Sequence, residues 1–128
     1  MRTDLAGSWG IYPWFPELGD DLVAPDSLGV VRSIRPYGKL FNCSGLSNGY
    51  LALRYRDQEF FVRPDLYIAV QCPRFCFLDE ARVAGTGKVG VIVDIEWHYK
   101  RAEPIFYLEF SGKRSSKQYF QSELVPTQ

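Results

Sequence analysis

Along most of the chain, apolar and polar residues alternate with a period of two, the spacing of strands that bury one face. The clearest run is residues 89–99, where Val91, Val93, Ile95 and Trp97 interleave with Ile92, Asp94, Glu96 and His98. Residues 29–34 read the same way, with Val30, Arg32 and Ile34 on one face and Val31 and Ser33 on the other. Further strands are expected at residues 50–55, 60–62, 68–70, 105–110 and 119–120. Turn-forming residues punctuate them: Gly19-Asp20-Asp21, the polar stretch from Asn42 to Gly49, Arg56-Asp57, the charged loop from Lys100 to Pro104, and Ser111-Gly112-Lys113. Pro64-Asp65-Leu66-Tyr67 reads as a single tight helical turn. No stretch shows the 3.6-residue period of an amphipathic helix. An all-β chain is expected.

The strand pattern also recurs. Leu22-Val23, Gly29 to Ile34, Tyr50-Leu51, Phe60-Phe61 and Asp65-Leu66 are echoed in order by Arg82-Val83, Gly90 to Ile95, Tyr107-Leu108, Tyr119-Phe120 and Glu123-Leu124. Five landmarks in one order point to two copies of a small sheet unit. The expected division is an N-terminal arm over residues 1–20, a first unit over 21–72, a connector over 73–80 and a second unit over 81–128. In the arm, Trp9, Ile11, Tyr12, Trp14 and Phe15 stand among Gly10, Pro13 and Pro16. Proline there argues for irregular backbone. The connector's Phe75-Cys76-Phe77-Leu78 is apolar, so the two units are expected to pack together.

Composition narrows the function classes. Of 128 residues, 46% are hydrophobic and 16% aromatic, enough large side chains to fill two small cores. Fifteen basic residues balance fifteen acidic ones. Bulk attraction to nucleic acid or to an anionic membrane needs a basic excess, which this chain lacks. No apolar stretch approaches the roughly 20 residues of a membrane span, and the first residues have no signal-peptide core. Cys43, Cys72 and Cys76 are an odd set, read as reduced thiols in a cytoplasmic protein. With only His98 besides, they do not make a zinc pattern. No cofactor motif is present.

Short strands, the Gly-led strand, a tight hairpin and a one-turn helix before the last strand resemble the SH3-like barrel. The run Gly90-Val91-Ile92-Val93-Asp94-Ile95-Glu96-Trp97-His98, followed by Tyr107-Leu108, Gly112-Lys113, Ser115-Ser116-Lys117, Tyr119-Phe120 and Glu123-Leu124, is similar to small bacterial proteins associated with polymorphic toxins. Those proteins are presumed immunity proteins. The match is specific over residues 81–125, weaker over 22–70 and absent over 1–20. The resemblance implies two tandem SH3-like barrels and a cytoplasmic protein that works by binding another protein. It supplies no catalytic residue.

Asp94, Glu96 and His98 fall on one strand face, the raw material of general-base catalysis. No nucleophile elbow, phosphate-binding glycine loop or metal spacing accompanies them, so no enzyme is expected. The stronger candidates are cations in two neighbouring loops: Lys100 and Arg101 in one, Lys113, Arg114 and Lys117 in the other. With His98 and Tyr99 they are expected to form a partner-binding patch. The arm's aromatics are expected either to pack across a barrel or to present anchors to a partner, and Tyr12 and Trp14 are the anchors in the second case. The expected partner is a cognate protein, most simply a toxin domain that is occluded stoichiometrically. The alternative is a nucleic-acid backbone held by the same basic loops.

Overall fold

A computed structural model of the chain describes residues 5–127. It is mostly β: two antiparallel sheets, of five and six strands, plus one short helix. The chain divides into two compact units, Met1–Cys72 and Pro73–Gln128, with one sheet in each.

The first unit contains β1 (Trp9–Ile11), α1 (Leu28–Ile34), β2 (Phe41–Ser47), β3 (Tyr50–Tyr55), β4 (Gln58–Val62) and β5 (Ile68–Val70). Its strands lie in the order β4-β3-β2-β1-β5. Two tight turns build the hairpins. Asn48 and Gly49 both take left-handed φ (54° and 84°), the two-residue connection whose twist suits a hairpin. The polar stretch 42–49, expected as a loop, is therefore strand as far as Ser47 and turns only at its tip. The core is aromatic: Phe41, Phe60, Tyr12 and Trp14 are all essentially unexposed. Phe41 meets Phe60 edge-on at 5.3 Å and Tyr55 at 5.8 Å.

The second unit contains β6 (Glu80–Val83), β7 (Val89–His98), β8 (Glu103–Phe110), β9 (Lys113–Arg114), β10 (Tyr119–Phe120) and β11 (Leu124–Pro126). Its order is β10-β8-β7-β6-β11, with β9 also on β8. Ile92, Ile95, Phe106 and Leu108 are fully buried. Residues 73–80 are not a connector but part of this unit. Phe75 is buried edge-on against Phe106 at 5.6 Å, and Leu78 and Asp79 exchange backbone hydrogen bonds with Ile92.

The two strand orders are the same once the registers are matched. Gly10 pairs with Phe41 and Ala69, as Ala81 pairs with Gly90 and Pro126. A bulge follows Cys43 in β2 and Ile92 in β7. One 3-10 turn, Pro64–Leu66 or Gln121–Glu123, precedes the final strand, which returns to the first. The repeat is real, but the sequence places its beginning wrongly. The counterpart of Gly90 to Ile95 is the stretch from Phe41 into Leu46, and the counterpart of β6 is β1, inside the supposed arm.

Three expectations are thereby corrected. Residues 29–34 are helix, not strand: burial falls on Ser27, Val31 and, in part, Ile34, a helical spacing. Pro25 starts the preceding 3-10 turn, and Arg35, at φ 58°, ends the helix before Pro36. The alternation of Val30, Arg32 and Ile34 is coincidental. The arm is not irregular throughout either, since Trp9–Ile11 lies inside the sheet between β2 and β5. Among the described residues no sheet closes into a barrel; β4 and β5 end one sheet, β10 and β11 the other.

Candidate functional site

Past its bulge, β7 alternates strictly, and its register with β8 sets Asp94 opposite Tyr107, Glu96 opposite Ile105 and His98 opposite Glu103. Phe120 of β10 pairs with Ile105, and Arg114 of β9 pairs with Glu109. Cross-strand partners share a face. One face of the second sheet therefore carries Asp94, Glu96, His98, Glu103, Tyr107, Glu109, Arg114 and Phe120.

These side chains are bonded to one another. Arg114 Nη2 lies 3.2 Å from Asp94 Oδ2, and its guanidinium sits 4.9 Å from the Tyr107 ring centre. Asp94 is only 3% exposed, so that cation compensates a carboxylate removed from water. The Tyr107 hydroxyl donates to Glu96 Oε1 at 3.2 Å and accepts from Gln118 Nε2 at 2.7 Å. Burial, foremost, and then the neighbouring carboxylates push the Tyr107 hydroxyl above its ordinary pKa.

At the other end, the Arg101 guanidinium stacks on Phe120 at 3.8 Å and pairs through Nε with Glu103 at 3.0 Å. His98 packs edge-on against the same ring at 5.5 Å. Its Nδ1 accepts the Arg101 backbone N–H at 3.1 Å, which shapes the loop. Phe120 is held in turn, because its N–H donates to Glu123 Oε1 at 2.9 Å.

The expected site residues are thus sorted into three groups. His98, Arg101 and Arg114 belong to this bonded face. Tyr99, 44% exposed, stands beside Lys100 on the loop that carries Arg101, and Lys113 and Lys117 are exposed as well. Lys117 lies 5.2 Å from the Tyr119 ring centre. Lys113 pairs with Phe110, so it projects to the opposite side of the sheet from Arg114. Of the five cations, Arg101 and Arg114 are ion-paired to carboxylates of the sheet, and Lys113 projects to its other side. Tyr12 and Trp14 are not available as anchors. Tyr12 is wholly buried and donates to Arg63 O at 2.8 Å, while Trp14 Nε1 donates to Gly19 O at 2.9 Å. The exposed aromatics of that region are Phe15 and Tyr37, which meet edge-on at 6.1 Å.

Sequence reading missed Tyr107, Gln118 and Phe120 as members of the site. The signal was the alternation of Ile105, Tyr107 and Glu109, which puts Tyr107 on the polar face rather than in the core. The catalytic alternative finds its groups engaged, with Asp94 on Arg114, Glu96 on Tyr107 and His98 on the loop backbone. Among the described residues no three His, Cys, Asp or Glu side chains are placed to hold a metal ion. Cys43 is buried, which pushes its thiol pKa up; Cys72 and Cys76 are exposed. Among the described residues no helix is long and apolar enough to cross a membrane.

A family of unknown function, DUF6960, matches residues 1–125. The chain belongs to that family. The match runs through both units. No curated protein and no solved structure matches the chain.

Proposed function

We propose that the chain is a protein-binding module built from two SH3-like units, and that it acts by covering a cognate protein with the polar face of its second sheet. The SH3-like reading rests on the shared strand order and the one-turn helix before each final strand. The binding reading rests on one observation. Where the second sheet carries Asp94 and Tyr107, the first carries Gly45 and Ala52 on the same rungs of the same frame.

The frame therefore does not need those polar groups. The carboxylate, the half-exposed arginine and the tyrosine placed there satisfy one another, and a ligand is a reason to keep such a network where the frame does without it. The network holds its side chains before any partner arrives, which reduces the ordering entropy of association. Tyr99 provides an exposed aromatic, and Lys100, Lys113 and Lys117 add charges that steer encounter. An interface of roughly 1,200–2,000 Å² would be expected. The resemblance over residues 81–125 makes a bacterial toxin domain the first partner to try.

The test is in two stages. The tagged protein is recovered from its native cell and its companion identified. The purified pair is then mixed, and growth is followed in cells that express the companion with and without this chain. A 1:1 complex weakened by changes at Arg101 and Arg114, together with restored growth, supports the proposal. Recovery of RNA or DNA in place of protein, with affinity falling steeply in salt, refutes it.

A further inference from the structure

One turn recurs in both units with the same bonds but a different residue at its strained position. In the first unit, Ser8 N–H donates to Leu5 O, Gly7 N–H to Cys43 O, and Cys43 N–H to Ser8 O. In the second, Asp79 N–H donates to Cys76 O, Leu78 N–H to Ile92 O, and Ile92 N–H to Asp79 O. Leu78 therefore stands where the first unit has Gly7. Both take left-handed φ, 83° at Gly7 and 70° at Leu78. Glycine adopts it without steric cost, whereas the Cβ of leucine crowds the following carbonyl. The other described non-glycine residues with positive φ are Arg35, Asn48, Arg56, Ala102 and Ser111, each polar or small.

Burial does not offset that strain. Leu78 is 76% exposed, the most exposed large apolar side chain among the described residues. A single exposed leucine needs no explanation, but one held in a conformation that leucine disfavours does. The turn itself is fixed. Asp79 Oδ2 accepts the Cys76 N–H at 2.7 Å, and the preceding Phe75 is buried against Phe106. Ile92, whose carbonyl accepts the Leu78 N–H, stands two residues before Asp94 on β7, so the turn adjoins the strand that carries the bonded face.

We propose that Leu78 is an anchor that enters an apolar pocket on the protein partner. This rests on the protein-binding reading above and adds a contact at the bulge end of β7. The occupant is a protein because two exposed carboxylates, Asp79 and Glu80, follow Leu78 and disfavour an anionic membrane or a nucleic-acid backbone. An apolar side chain gains from association where water is excluded from it, which a pocket provides. Fixing the turn beforehand lowers the ordering entropy of that contact.

The test uses full-length chains in the native cell, each with one photo-crosslinking residue: Leu78→p-benzoylphenylalanine, Tyr99→p-benzoylphenylalanine or, as a control on the first unit, Leu18→p-benzoylphenylalanine. Position 78 is expected to give a discrete adduct that protease destroys and nuclease does not, and position 18 none. Excess parent chain is expected to suppress the adduct. Leu78→Gly and Leu78→Ala are expected to compete at least about tenfold less well, since each lacks the side chain that the pocket would bury. Leu78→Met keeps an apolar side chain of similar volume and is expected to compete within about threefold of the parent. Leu78→Gly is also expected to melt no lower than the parent, because glycine relieves the strain and no buried contact is lost.

A lower melting temperature for Leu78→Gly would make Leu78 a structural residue and overturn the anchor. So would undiminished competition by Leu78→Gly, equal adducts from position 18, or an adduct to lipid, nucleic acid or a second copy of this chain. An adduct from position 99 but not from 78 would remove the anchor and leave the protein-binding reading standing. An adduct from 78 but not from 99 would keep the anchor and move the interface away from the polar face. Adducts from neither position would remove both.

Discussion

The two units share one strand order and differ in what is laid upon it. In the first, the connection from β1 to β2 contains two 3-10 turns and α1; in the second, β6 and β7 are joined by a short turn. The long connection covers the first sheet's edge. Val23 bridges Val62, Ala24 N–H donates to Phe61 O, and Ser27 Oγ accepts the Phe61 N–H at 2.9 Å. The N-terminal segment covers part of a face, since a Cβ built on Gly45 would sit 3.5 Å from Ala6 Cβ. Ala52 beside it is 8% exposed. The first unit closes over its own sheet with its own chain. The second has no such insertion and places bonded polar groups at the corresponding positions. Duplicated frames diverge by what they cover, and the less covered copy is the one with a site to explain.

The sharpest break of that symmetry is at Gly10, whose counterpart is Ala81. A Cβ on Gly10 would meet the Tyr67 ring and lie 2.6 Å from Ile68 O. The ring cannot swing aside cheaply, because Tyr67 is buried and its hydroxyl is 2.7 Å from Ser8 Oγ. Gly10→Ala is expected to cost about 3 kcal/mol, as overpacking against backbone does. Ala81→Gly, on the equivalent rung, is expected to cost about 1 kcal/mol through backbone entropy. Urea denaturation of both variants gives the comparison, and equal losses would mean that the two rungs are not packed differently.

Alkaline pH should separate the units next. Burial pushes the Tyr67 hydroxyl up to about 12, and burial followed by Asp65 pushes Tyr12 higher still. In the unfolded chain both ionise near pH 10. Above that pH the unfolded state gives up protons that the folded state keeps, so stability falls as pH rises. Their contribution is fully present below about pH 10 and declines by about 1.4 kcal/mol per pH unit for each tyrosine, for Tyr67 until about pH 12. Both belong to the first unit. Denaturation followed between pH 9 and 11.5 should show the first unit losing stability, and Tyr67→Phe should lessen the slope by about 1.4 kcal/mol per pH unit. A slope unchanged by that substitution would remove Tyr67 from the account.

How much of this was legible in the sequence depends on whether the deciding interaction was local. The alternation of β7 beyond its bulge and the Ser111-Gly112 turn were readable because strand period and turn chemistry are encoded within a few residues; the bulge itself, which buries Ile92 in place of Val91 and Val93, was not. The helix at Leu28–Ile34 was not, because its β-branched residues fit either period and Pro25 with Arg35 decided the outcome. Tyr12 and Trp14 failed as anchors for a related reason, their packing being the other reading the sequence left open. Pro13 and Pro16 rule out regular structure between them, but not burial beneath the long connection. The bonded face was half legible: alternation put Asp94, Glu96 and His98 together, whereas Tyr107, Arg114 and Phe120 came to them only through the register of three other strands.

The ion pair at Asp94 offers a smaller test, at a position where the first unit has Gly45. Arg114→Ala leaves a buried carboxylate without its cation and is expected to cost about 1–2 kcal/mol. That is less than a fully buried pair would, because Arg114 is half exposed. Adding Asp94→Asn should recover most of the loss. If the double variant is no more stable than the single one, the pair is not what holds that rung.

The smallest effect on stability should come from the lysines that surround the face. Lys100, Lys113 and Lys117 are exposed, and the triple change to glutamate removes no buried contact, so melting should shift by no more than about 0.5 kcal/mol equivalent. Association with the partner is where the change should appear. Charges at the margin of an interface act on encounter rather than on the docked complex, so kon should fall roughly tenfold at low salt while koff stays near the parent value. Changes at Arg101 and Arg114 should do the reverse, because their guanidinium groups act after contact. Stopped-flow traces at two salt concentrations separate the cases: a loss confined to koff in the lysine variant would make the rim part of the docked contact and remove the division of labour between loops and sheet face.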